Sequence, residues 1–74
     1  METKLKSLLA KQFGIVEDTI TLNTDIINDL NADSLDLLEL VMAIEQTFKV
    51  VISEDEYKDT HTVGKILELI KSKR

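Results

Sequence analysis

Residues 31 to 48 read NADSLDLLELVMAIEQTF, and the fold turns on how this stretch is placed. At 100° per residue, Leu37, Leu40, Val41, Ile44 and Phe48 share one arc, which predicts a helix over about 34–48 with that arc in the core. Leu35, Leu38 and Met42 form a second stripe on a different side, flanked by Glu39 and Glu45. Two readings of that stripe stay open. A central helix can be buried on two faces, or an exposed apolar strip with an acidic border can dock a partner. Asp33 is a good N-cap with Asp36 three residues on, and acids in a first turn favour the helix dipole by about 0.3–1 kcal/mol each. Ser34 then occupies the first helical position, exposed and not needed for capping. Capping accounts for Asp33 and Asp36 but not for Glu39, a like charge three residues beyond Asp36. Unpaired acid gathers beside one hydroxyl.

On the N-terminal side, Leu5, Leu8, Leu9 and Phe13 predict an amphipathic helix over roughly residues 2 to 13, ended by Gly14. Residues 15 to 32 show no sustained period. So long a segment in a small protein is best read as a structured loop laid across a bundle, with Ile15, Val16, Ile20, Leu22, Ile26, Ile27 and Leu30 as apolar anchors. On the C-terminal side, SEDE at 53–56 reads as a capping box that starts a short helix over 54–59. A last helix begins at Thr60 or Thr62, with Val63, Ile66, Leu67 and Ile70 as its stripe. The expectation is one domain, 1–74, all-α: a small four-helix bundle of three longer helices and one short one, with a long structured loop between the first two.

Composition agrees. The 74 residues contain no proline, no cysteine, two glycines and three aromatics, which favours helices and rules out disulfide or thiolate-metal support. A chain this short buries only about 60% of its unfolded surface, so its stability is modest. No apolar run reaches a membrane span and no signal peptide is visible, so a cytoplasmic monomer is expected. Residues 17 to 59 hold twelve acids against Lys49 and Lys58, within an overall charge of −5. That excludes nucleic acid as a partner and points to basic protein surfaces.

Asp29, Asn31 and Asp33 match positions 1, 3 and 5 of a calcium loop, but position 6 is Ser34 instead of glycine and position 12 is Leu40 instead of glutamate. No dedicated metal site is expected; weak divalent binding by the carboxylates stays open. A nucleophilic serine needs a base and an oxyanion stabiliser. The chain has one histidine, His61, and no G-x-S-x-G elbow. An enzyme is not expected.

NADSLDLLELVMAIEQTF resembles the signature of the acyl carrier protein family, with LAKQFGI similar to the end of that family's first helix and HTVGKILELI to its last. The resemblance covers nearly the whole chain. It implies that Ser34 carries a 4′-phosphopantetheine arm, received from coenzyme A through a separate phosphopantetheinyl transferase, and that the arm's thiol carries acyl groups as thioesters. It also implies that Asp33, Asp36, Glu39 and Glu45, with Leu35, Leu38 and Met42, meet basic enzyme surfaces. Leu40, Ile44, Ile52 and Val63 are candidates to line an acyl pocket, though core packing alone would explain each. A carrier in fatty-acid synthesis is the leading reading. Carriers of polyketide or aminoacyl cargo share the frame, and a small acidic helical adaptor without a prosthetic group is the alternative from another class.

Three positions depart from the family pattern: Asn31 where glycine is usual, Ser53 where a proline is common, and Lys49 where an acid is common. Asparagine tolerates positive φ better than most residues, so the turn before Asp33 is expected to survive.

Overall fold

The computed structural model describes residues 2–73. Four helices run in chain order: α1 (Glu2–Phe13), α2 (Ser34–Phe48), α3 (Glu54–Tyr57) and α4 (Val63–Ser72), with a 3₁₀ turn at Glu17–Thr19. The expected all-α architecture of three longer helices and one short one is the one observed. Among the described residues there is no strand, only an isolated antiparallel bridge between Asp25 and Thr62.

Each boundary has a local cause. Gly14, at φ 65°, closes α1, and the Ile15 N–H reaches back to the Ala10 carbonyl at 3.1 Å. A left-handed residue just past a helix satisfies such orphan carbonyls. Asn31 and Lys49 also lie in the left-handed region, at φ 57° and 59°; Asn31 makes the turn into α2 and Lys49 ends it. The SEDE segment starts α3 as expected, with the Glu56 carboxylate accepting the Ser53 N–H at 2.9 Å. This helix stops after one turn, two residues short of the prediction. The Thr60 hydroxyl donates to the Glu56 carbonyl at 2.8 Å, and the Thr60 N–H to the Tyr57 carbonyl. Those bonds take carbonyls that a continued helix would have used.

The long loop is held mainly by its backbone. Gly64 N–H donates to the Leu22 carbonyl at 2.8 Å, Val63 N–H to Thr24 at 3.0 Å, and Ile26 N–H to His61 at 2.8 Å. Glycine at 64 permits the approach, since a Cβ there would stand 3.1 Å from the Leu22 carbonyl oxygen. Of the seven expected apolar anchors, Ile20 and Ile26 are fully buried and Ile15, Ile27 and Leu30 half-buried. Val16 and Leu22 are not anchors, being 66% and 41% exposed. The Val16 carbonyl instead accepts the N–H and hydroxyl of Thr19 to make the 3₁₀ turn. Leu22 attaches through its carbonyl, which leaves its side chain outside.

The core joins Leu5 and Leu9 of α1, Leu40, Val41, Ile44 and Phe48 of α2, Val63, Ile66, Leu67 and Ile70 of α4, and the loop residues Ile20, Ile26, Val50 and Ile52. The predicted arc of α2 is therefore the buried one, with Leu37 half-buried at its edge. Ile26→Ala should cost about 2–5 kcal/mol, as for a fully buried aliphatic. Leu22→Ala should stay within about 0.5 kcal/mol. Urea midpoints of the two variants would separate anchor from non-anchor, and equal midpoints would show the loop is held by backbone alone.

The end of the chain is tied to α3 by an ion pair between Lys73 and Glu56. The Lys73 ammonium, then the Ser53 N–H, hold the Glu56 carboxyl down from 4.5 to about 2. A carboxyl whose folded pKa is depressed stabilises fully above its unfolded value and loses that contribution as pH falls through the folded one. The melting temperatures of the native chain and Glu56→Gln should thus differ most above pH 4.5 and converge as pH falls toward about 2. A gap independent of pH would remove the ion pair as its source.

Candidate functional site

Asp33 sets the geometry at the start of α2. Its carboxylate accepts the Asp36 N–H at 2.9 Å, and the Asp36 carboxylate accepts the Asp33 N–H at 3.3 Å. This reciprocal box fixes the helix start one residue before Ser34, as the sequence predicts. Ser34 is then the first helical residue, with an exposed side chain. The N–H groups of Ser34 and Leu35 have no acceptor within the helix, as in any first turn. The dipole end and these donors favour an anion on the Ser34 oxygen.

An open cavity of about 480 Å³ lies beside Ser34, lined by Ile27, Ala32, Asp33, Ser34, Leu37, Glu54, Lys58 and His61. Its size falls within the range of small-molecule pockets, about 300–1,000 Å³. Ile27, Ala32 and Leu37 contribute apolar wall, and Lys58 and His61 contribute an ammonium and an imidazole. Sequence reading missed both Lys58 and His61. They lie 24 and 27 positions beyond Ser34, and only the loop's return to the start of α4 brings them close. His61 is half-buried, and its Nε2 donates to the Lys58 carbonyl at 2.8 Å. A ring nitrogen that donates there cannot also take a proton from Ser34.

The second stripe of α2 is exposed: Leu35 64%, Leu38 43% and Met42 52%. Burial on two faces is thereby excluded. Glu39 stands exposed beside the strip and Asp36 is half-buried within the cap. Glu45 has another task. Half-buried, it accepts the Ile52 N–H at 2.8 Å and holds the segment after α2 against that helix. Asp29 is likewise engaged within the loop, where its carboxylate accepts the Asp25 N–H at 2.8 Å. The four acids that surround Ser34 in sequence therefore divide between cap, loop and surface. Among the described residues no three histidine or acidic side chains gather where a metal ion could be held.

The four acyl-pocket candidates, Leu40, Ile44, Ile52 and Val63, are 0–7% exposed and belong to the core cluster. None lines the cavity beside Ser34. The apolar walls there are Ile27, Ala32 and Leu37, which sequence reading did not select for that purpose.

Comparison with known proteins agrees with this geometry. Residues 3–70 match the family described as "Phosphopantetheine attachment site". The chain is 41% identical over 71 residues to the acyl carrier protein of Buchnera aphidicola subsp. Baizongia pistaciae, covering 96% of this chain and 91% of that one. It is 39% identical over 74 residues to that of Chlamydia caviae, covering 100% and 96%. The fold superposes on an acyl carrier protein structure from Enterococcus faecalis with a TM-score of 0.85 at 32% identity, covering 99% of this chain and 92% of that one. A helical domain that carries a phosphopantetheine attachment site is thus the class. The chain belongs to the acyl carrier protein family, whose members are named carriers rather than catalysts. Its prosthetic group is a covalently attached 4′-phosphopantetheine. The residues present fit such a group: an exposed hydroxyl at a helix N-terminus, with a cavity lined by the Lys58 ammonium and the His61 imidazole beside it. Among the described residues no helix is long and apolar enough to cross a membrane.

Proposed function

We propose that Ser34 bears the arm and that the protein carries acyl intermediates as thioesters between the enzymes of fatty-acid synthesis. The observation that carries this reading is the separation of capping from display. Asp33 satisfies the helix start, so the Ser34 hydroxyl is free and exposed at its positive end. In loading, the Ser34 oxygen would bond to the phosphorus that joins pantetheine to the nucleotide part of coenzyme A, the nucleotide would leave with its own phosphate, and the hydroxyl proton would pass to the transferase. The bound arm supplies the thiol on which acyl groups ride, a group that this cysteine-free chain lacks.

The exposed strip of Leu35, Leu38 and Met42, bordered by Asp36 and Glu39, supports docking to basic enzyme surfaces through a small apolar contact with an acidic rim. Shuttling requires release. Micromolar affinity, about −8 kcal/mol, with a steered on-rate near ~10⁷ M⁻¹s⁻¹, implies release at roughly 10 s⁻¹. Surface charge raises the encounter rate and weakens with salt.

Intact mass before and after incubation with coenzyme A and a broad-specificity phosphopantetheinyl transferase tests the attachment. One added arm, mapped to the peptide containing Ser34, is expected. Ser34→Ala should add nothing while losing less than about 1 kcal/mol of stability, because Asp33 remains the cap. Loading of the alanine variant would place the arm elsewhere.

Docking is tested separately. Glu39→Lys should lower the low-salt rate of transferase or acyl-enzyme association and flatten its salt dependence. Unaltered low-salt kinetics would remove this face of α2 from the docking surface.

A further inference from the structure

Lys58 and His61 have no role in the reading so far, yet both line the cavity that contains Ser34. We propose that Lys58 and His61 hold the phosphodiester of the arm against the N-terminus of α2, so that the arm leaves Ser34 along the cavity and not straight into solvent. The proposal rests on Ser34 as the attachment residue.

Three features of the site support it. A phosphodiester on Ser34 is a permanent anion, held one bond from the oxygen of a residue that lines the cavity. Lys58 is free to meet it. Its side chain is 59% exposed, and its ammonium pairs only loosely with Asp55, at 3.6 Å across an exposed surface. Such pairs contribute little, so reorienting the side chain costs little. His61 is held in place by the bond from Nε2 to the Lys58 carbonyl. Its Nδ1 is therefore the nitrogen that gains a hydrogen on protonation, and a nearby anion favours that form. The same bond links the two residues, so the turn after α3 presents them as a unit. Ile27, Ala32 and Leu37 supply an apolar wall for the part of the arm beyond the phosphate.

The acids around the site set the background. The Asn28 backbone hydrogen bond chiefly, and His61 only in minor part, lower the Asp25 carboxyl in the loop, and Asp33 of α2 and Glu54 of α3 line the cavity with His61, as does the cation Lys58. These groups are present with and without the arm. A change in His61 on loading therefore reports the added phosphodiester against a constant background.

The test uses the full chain, loaded from coenzyme A and checked by mass and peptide mapping. The His61 ring is titrated by NMR in the loaded and unloaded protein, and the ³¹P resonance is followed over the same pH range. Loading should tighten proton binding at His61 by about threefold to tenfold, a small version of the shift from an adjacent opposite charge. The phosphodiester, which has no proton of its own to titrate there, should show a ³¹P step at the His61 midpoint. His61→Gln should abolish that step. Lys58→Glu, with its fold checked by the amide spectrum of the unloaded form, should lose at least half of the loading-induced amide shifts over residues 54–61. A correctly loaded protein with an unmoved His61 midpoint and a flat ³¹P trace would overturn the proposal, because the arm would then point away. Absence of the arm from Ser34 by mass would instead overturn the attachment on which the proposal depends.

Discussion

Ile26 is the residue on which the site depends. Its side chain is fully buried, its N–H donates to the His61 carbonyl at 2.8 Å, and its carbonyl accepts the Ala32 N–H at 2.9 Å. One backbone bond thus fastens the loop to the chain ahead of α4, and the other turns the loop toward α2 one residue before its cap. Between them they set the distance from Ser34 to His61 and Lys58. The burial energy of one aliphatic side chain, about 1.5–3 kcal/mol, holds this junction in place. A loop attached only by exposed polar contacts would leave Ser34 on a helix start with no defined cavity beside it.

Capping and display are assigned to adjacent residues for a physical reason. A helix start needs an acceptor for its first N–H groups, and serine is as good an N-cap as aspartate. Had Ser34 been the cap, its oxygen would be spent on a backbone N–H, and modifying it would weaken the helix. With Asp33 and Asp36 bonded to each other's N–H groups, the helix start is stable whatever happens at Ser34. A second group of acids then remains free to shape the surface. The structure narrows that group: Glu45 is committed to Ile52 and Asp29 to Asp25, which leaves Glu39 as the exposed acid beside the apolar strip.

What could be read from the sequence is what depends on near neighbours. The bounds of α2 followed from a cap three residues before its partner and from an apolar arc repeating at helical spacing. Gly14 was legible from the residue itself and Asn31 from the glycine usual at its place in the family, whereas nothing marked Lys49 as a third residue with positive φ. The loop was legible only as something pinned. Val16 and Leu22 looked like anchors because they are apolar, but the pinning at 22 and 24 runs through carbonyl groups, which every residue has and no side chain reveals. The same limit hid Lys58 and His61. Nothing in their local pattern points to Ser34, and residues 31 to 48 themselves hold four acids and no Lys or Arg. Family resemblance points to the serine, but pairwise geometry was needed to show what surrounds it.

The charge of this protein is therefore patterned at two scales. Over the exposed face of α2, Glu39 and the rim of the cap make an acidic surface, where long-range attraction for a basic partner would matter and salt would screen it. Beside Ser34, the turn after α3 presents Lys58 and His61 to the protein's own cavity. These near-field groups do not cancel the far-field acid, because an approaching surface responds to the sum over the face while a group bonded to Ser34 would respond to its immediate neighbours. A domain this small cannot build a deep pocket for a long, flexible arm, and so an arm on Ser34 would otherwise sample solvent freely. A lysine and a histidine lining an open cavity would restrict it through charge and hydrogen bonding and need no further core. The contact is also easily surrendered, since Lys58 lies at the surface and a docking enzyme can offer its own basic side chains to the same phosphodiester. The arm can then be handed over without unfolding any part of the bundle.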